Sequence, residues 1–128
     1  MRGRLEGDYW GAVLEAPDAP ALARFYAELL GWRIAKEEPS WATVAPPDGV
    51  AYLGFQTSPE YVRPVWPPTE GRQQMMMHLD IEVHDLEGAV SDALELGATL
   101  AEYQPQKDVR VLLDPVGHPF CLYVDTDT

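Results

Sequence analysis

The chain has 128 residues, the length of one ordinary domain. Nine Lys and Arg stand against 21 Asp and Glu, a net charge of −12 that repels nucleic-acid phosphates and anionic lipid surfaces. A hydrophobic share of 46% excludes disorder, no apolar run approaches the ~20 residues of a membrane span, and Cys121 as the single cysteine excludes an intrachain disulfide. Met1 to Asp8 carries basic residues without an apolar stretch of signal-peptide length behind them, so a cytoplasmic protein is expected.

In chain order, Trp10 to Glu15 reads as a first strand. Leu22, Phe25, Tyr26, Leu29 and Leu30 then recur at helical spacing. Asp18 suits the N-cap of this helix, Pro20 its first turn and Gly31 its end, which predicts a helix over about 18–30. Strands follow at Trp32 to Lys36, Trp41 to Ala45 and Val50 to Gln56, with Pro46-Pro47-Asp48-Gly49 as a turn. A proline-rich connector carries apolar anchors at Tyr61, Val65 and Trp66.

Beyond it, Met77 to Val83 alternates, with Leu79, Ile81 and Val83 on one side and His78, Asp80 and Glu82 on the other. Leu86, Ala89, Val90, Ala93 and Leu94 repeat at helical spacing between Asp85 and Gly97, a helix over about 86–97. Val109 to Leu113 and Phe120 to Val124 complete the strands, around the turn Asp114-Pro115-Val116-Gly117.

The two halves resemble each other. Ala27 to Ala35 lies over Ala93 to Ala101 at an offset of 66; Glu15 and Glu82, and Asp18 and Asp85, are 67 apart; Gly49 and Gly117 are 68 apart. Each half therefore reads β-α-β-β-β. The expected organisation is one domain over 1–128, with module one at about 9–57, a connector at about 58–74 and module two at about 75–125.

This duplicated unit resembles the vicinal oxygen chelate superfamily, which holds glyoxalase I, extradiol dioxygenases and the fosfomycin- and bleomycin-resistance proteins. Phe25-Tyr26-Ala27-Glu28-Leu29-Leu30-Gly31-Trp32, His78-Leu79-Asp80-Ile81-Glu82-Val83 and Asp114-Pro115-Val116-Gly117-His118-Pro119-Phe120-Cys121-Leu122 carry the resemblance, the last run being typical of the glyoxalase-like subgroup. The resemblance implies an α+β fold: two tandem βαβββ modules forming a cup-shaped mixed sheet, helices on the convex side and ligand on the concave side. The expected cavity residues are His78, Asp80, Glu82, Cys121 and Tyr123, joined by Glu15 from the first module and Trp66 from the connector.

Metal-dependent members use one ligand from the first and last strand of each module. Carried over, those positions are Gly11, about Leu53, His78 and Cys121, and only His78 is a ligand usual in the family. Three protein ligands are the norm for a catalytic zinc, so no complete metal site is expected. A divalent metal, were one held, would fall to His78 with Cys121 or Glu82, or with Glu15 or Gln56 in a shifted register.

Two functions follow. One is a metal-free protein that binds a small planar or cationic molecule. The other is a metal-dependent lyase, isomerase or dioxygenase. A homodimer is expected, with the apolar Met75-Met76-Met77 run at the module junction.

Overall fold

The first helix forms where the caps and the stripe place it. In the computed structural model, which describes residues 1–125, α1 spans Ala19–Leu30. The Asp18 side chain accepts from the Ala21 amide at 3.3 Å, satisfying one of the first-turn donors left without a helical partner. Gly31 closes the helix in the left-handed region, φ 70°. Leu22, Phe25 and Tyr26 are buried, while Leu29 and Leu30 are half-buried at the end of the stripe.

The chain divides into two compact units, residues 1–61 and residues 62 onward. In the first, β1 (Trp10–Ala16) pairs in parallel with β4 (Ala51–Thr57). β3 (Trp41–Ala45) pairs antiparallel with β4 and with β2 (Arg33–Glu38), giving the order β1-β4-β3-β2. Alternation assigns the faces. Ala12, Leu14, Ala42, Val44, Leu53 and Phe55 lie on the side of α1, where Tyr26 stacks on Phe55 with centroids 5.6 Å apart. Tyr26 also meets Phe25 edge-on at 4.9 Å. Burying rings of this size gives roughly 2–3 kcal/mol each.

The second unit repeats the plan with β5 (Leu79–Glu82), α2 (Leu86–Glu95), β6 (Thr99–Leu100), β7 (Val109–Leu113) and β8 (Pro119–Tyr123), ordered β5-β8-β7-β6. β5 and β8 are parallel and the other pairs antiparallel, so each unit has its own four-stranded mixed sheet. Asp85 caps α2 by accepting from the Gly88 amide at 3.0 Å. Phe120, Leu122 and Leu112 are fully buried, but of α2 only Ala93 is, so this helix is less deeply seated than α1.

The expected elements appear with small shifts. β2 runs two residues further than expected, to Glu38, because a bulge between Ile34 and Lys36 lets it keep pairing with β3. β5 starts at Leu79 rather than Met77, and α2 ends at Glu95 rather than near 97. The connector does not stand apart: its residues from Val62 belong to the second unit. Trp66 is held there by its indole N–H donating to the Tyr103 carbonyl at 3.1 Å, with the two rings 6.1 Å apart.

Candidate functional site

The open face of the second sheet, away from α2, collects polar side chains because strand alternation leaves them no place in the core. Asp80 on β5 pairs with Cys121 on β8, and Glu82 pairs with Tyr123. Paired residues share a face, so His78, Asp80, Glu82, Cys121 and Tyr123 lie on one side. A cavity of about 330 Å³ opens there, lined by His78, Asp80, Gln106, Val109, Cys121, Tyr123 and Val124.

At its centre the imidazole Nε2 of His78 lies 3.3 Å from Asp80 Oδ1. One donor atom each from His78, Asp80 and Cys121 lie within 4.8 Å of one another. The half-buried Cys121 thiol is pushed from 9.0 up to about 11, first by burial, then by the negative charge of Asp80 and the hydrogen bond Asp80 accepts from it. The group is therefore a neutral thiol at physiological pH.

Of the seven expected cavity residues, four line this cavity: His78, Asp80, Cys121 and Tyr123. Glu82 extends the same face beside Tyr123 without lining it. Glu15 stands on β1 in the first unit, opposite Gln56 on β4. Trp66 lines neither this cavity nor the one described below, because its indole is committed to the Tyr103 loop. Gln106 is the polar lining residue the sequence did not point to. Its loop is held by Gln104, which donates to the Ala101 and Val111 carbonyls at 2.7 and 2.9 Å and accepts from the Val111 amide at 2.8 Å. Arg110 adds a bond to the Lys107 carbonyl at 2.8 Å.

The strand register also settles which first-unit residues correspond to the donors. Val13 pairs with Gly54 as Asp80 pairs with Cys121; 80 − 13 and 121 − 54 are both 67. The counterparts of His78 and Cys121 are thus Gly11 and Gly54. The expected position, about Leu53, corresponds instead to the offset of 68 between Gly49 and Gly117. That extra residue is absorbed between the turn and the strand, and Leu53 is buried on the helix side. Both glycines lie beneath aromatic rings. A Cβ on Gly11 would sit 2.7 Å from Tyr52 Cδ2 and Cε2, and one on Gly54 would sit 2.5 Å from Trp41 Cη2. In place of two metal donors, the first sheet carries two aromatic rings packed over the glycines.

The four positions of the superfamily therefore do not fit a metal. The local set does fit one: imidazole, carboxylate and thiol suit a borderline-soft divalent ion such as zinc, and Asp80 supplies the third donor in place of Glu82. A metal held there would take these three groups as ligands, and the thiol would have to give up its proton.

Comparison with known proteins agrees with the fold. The family model for the glyoxalase-like domain matches residues 11–123. A glyoxalase/bleomycin resistance protein/dioxygenase family enzyme from Burkholderia phytofirmans superimposes with a TM-score of 0.66 at 19% identity, over 91% of this chain and 98% of that one. A possible glyoxalase from Bacillus cereus gives 0.65 at 13%, over 90% and 96%. A glyoxalase/bleomycin resistance protein/dioxygenase from Alicyclobacillus acidocaldarius gives 0.61 at 19%, over 99% and 96%. No curated protein sequence matches the chain. No helix is long and apolar enough to cross a membrane, among the described residues. With a family model spanning nearly the whole chain and the paired βαβββ units in place, the protein belongs to the glyoxalase-like domain family of the vicinal oxygen chelate superfamily.

Proposed function

We propose that the protein binds a small molecule and works without the four-position metal site of its superfamily. One observation carries this reading. Two of the four ligand positions are Gly11 and Gly54, and the Tyr52 and Trp41 rings occupy the space their side chains would need. The ligand cavity is the one around His78, Asp80, Cys121 and Tyr123. Its carboxylate, in a chain of charge −12, favours a cationic planar molecule that can stack on Tyr123. The reading includes a single domain spanning both units, a cytoplasmic location, and a homodimer supported by Met76 and Met77 at 80% and 72% exposure.

A second reading rests on the His78–Asp80–Cys121 cluster: a metal-dependent lyase, isomerase or dioxygenase. A divalent ion there would polarise a substrate oxygen, while Glu82 on the same face would be placed to move a proton.

Metal analysis of protein that never met an affinity column separates the two. The first reading expects substoichiometric metal, and it expects an acridinium dye to bind once per chain, more weakly in Asp80→Asn. One ion per chain, lost in both Asp80→Asn and His78→Ala, supports the enzyme instead. Sedimentation at micromolar concentration should show a dimer of the 14.3 kDa chain, and a monomer alone refutes that part.

A further inference from the structure

The aromatic rings over Gly11 and Gly54 form part of a second cavity, built wholly from the first unit. Its volume is about 370 Å³, within the range of small-molecule sites. Tyr9, Trp41 and Tyr52 supply its rings, and Pro46 and Pro47 of the β3–β4 turn supply an apolar rim. Arg33 is the only charged residue among those lining it. Register explains why Arg33 is there. It pairs with Ala45, which shares the open face with Trp41 and Thr43, so its side chain projects over the same floor.

The Arg33 guanidinium makes no ion pair or hydrogen bond among the described residues. The neighbouring charges on this face of β2 satisfy each other: Lys36 Nζ lies 3.9 Å from Glu38 Oε1. Arg24, from α1, is taken by Glu37 on the opposite face at 3.3 Å. The cavity thus offers three aromatic rings and one unclaimed guanidinium, whose planar fork matches a carboxylate.

The two glycines make this floor possible. Any larger residue at Gly54 would lift the Trp41 indole off β4, and any at Gly11 would meet both the Tyr52 ring and its backbone carbonyl, 2.5 Å from the added Cβ. In-strand glycine weakens a sheet, and it is expected where something must approach the backbone closely. Here that something is a pair of rings facing a cavity.

We propose that the first unit binds a planar aromatic carboxylate, its ring plane against Trp41 and Tyr52 and its carboxylate paired with Arg33. The residues that line it all belong to the first unit, and the proposal does not rest on what the His78 cavity binds.

The probe is 2-naphthoate, titrated against isotope-labelled protein with its neutral amide, 2-naphthamide, as control. The Trp41 indole N–H resonance, identified by its loss in Trp41→Phe, should move on addition of naphthoate. Naphthoate should bind one per chain and at least about tenfold tighter than the amide, the size of a charge-assisted hydrogen bond set against a neutral one. Arg33→Gln should erase that preference, Arg33→Lys should restore part of it, and His78→Ala should leave it unchanged. Arg33 is exposed, so these variants should retain the fold, with circular dichroism as the check. No naphthoate binding, equal affinity for acid and amide, or insensitivity to Arg33→Gln each overturns the proposal. A preference lost in His78→Ala would assign the carboxylate to the His78 cavity and overturn it equally. Failure of the acridinium experiment leaves this proposal standing, and failure here leaves the His78 reading standing.

Discussion

Cys121 reports the electrostatics of the His78 cavity through its reactivity. Burial and the Asp80 carboxylate push its thiol from 9.0 up to about 11. Below pH 9 the thiolate is then about a hundredfold scarcer than in an ordinary cysteine, since each pH step is tenfold. The more basic thiolate is the better nucleophile, and a Brønsted coefficient of about 0.4–0.5 returns roughly six- to tenfold of that loss. Alkylation of Cys121 by iodoacetamide near pH 8 should therefore run at least about tenfold slower than in the same chain unfolded in urea, with half-burial slowing it further. Up to about pH 10 the rate should climb in proportion to hydroxide, read by mass spectrometry on quenched samples. Asp80→Asn removes the charge and its strong acceptor but leaves the burial. Its rate should rise toward that of the unfolded chain without reaching it, because burial is the largest cause. A rate that levels off between pH 8 and 9, or that falls in Asp80→Asn, refutes the reasoning. The sign also fixes a stability trend. The fold favours the neutral thiol, so the contribution of Cys121 is present below about pH 9 and is lost as pH rises toward 11.

Gly117 has φ +101°, and the Arg63 side chain occupies the space a Cβ would take, so Gly117→Ala should cost roughly 1–3 kcal/mol, read as a lower urea midpoint. Asp114, fully buried in the same turn, accepts from the Val116 and His118 amides at 3.0 Å each. Asp114→Ala leaves both donors without that acceptor and should cost about 1–3 kcal/mol by the same measurement. Phe120 is fully buried, and Phe120→Ala should cost about 3–5 kcal/mol, whereas loss of the α1 cap in Asp18→Ala should cost about 1 kcal/mol. Equal effects for these two variants would contradict the assigned roles.

The sequence by itself determined the features that depend on near neighbours. Asp18 with Gly31, and Asp85 with the stripe from Leu86, are cap and period signals read within one helix, and both helices form there. The alternation His78-Leu79-Asp80-Ile81-Glu82 assigns faces within one strand, which is why the open-face residues of the second unit were legible. The repeat near 67 residues carried the duplicated fold for the same reason: each module follows the same local rules.

Only the tertiary structure decided what lies across a strand boundary. That Asp80, rather than Glu82, joins His78 and Cys121 follows from the β5–β8 register, and a shift of two residues along β5 would exchange them. The one-residue difference between turn and strand offsets moved the ligand position from Leu53 to Gly54. Trp66 was placed by a single indole-to-carbonyl bond 37 residues away, which no pattern around it encodes. The rings over Gly11 and Gly54 had no local signal either. A glycine marks only where something can come close, and cross-strand packing brought Tyr52 and Trp41 to fill the space.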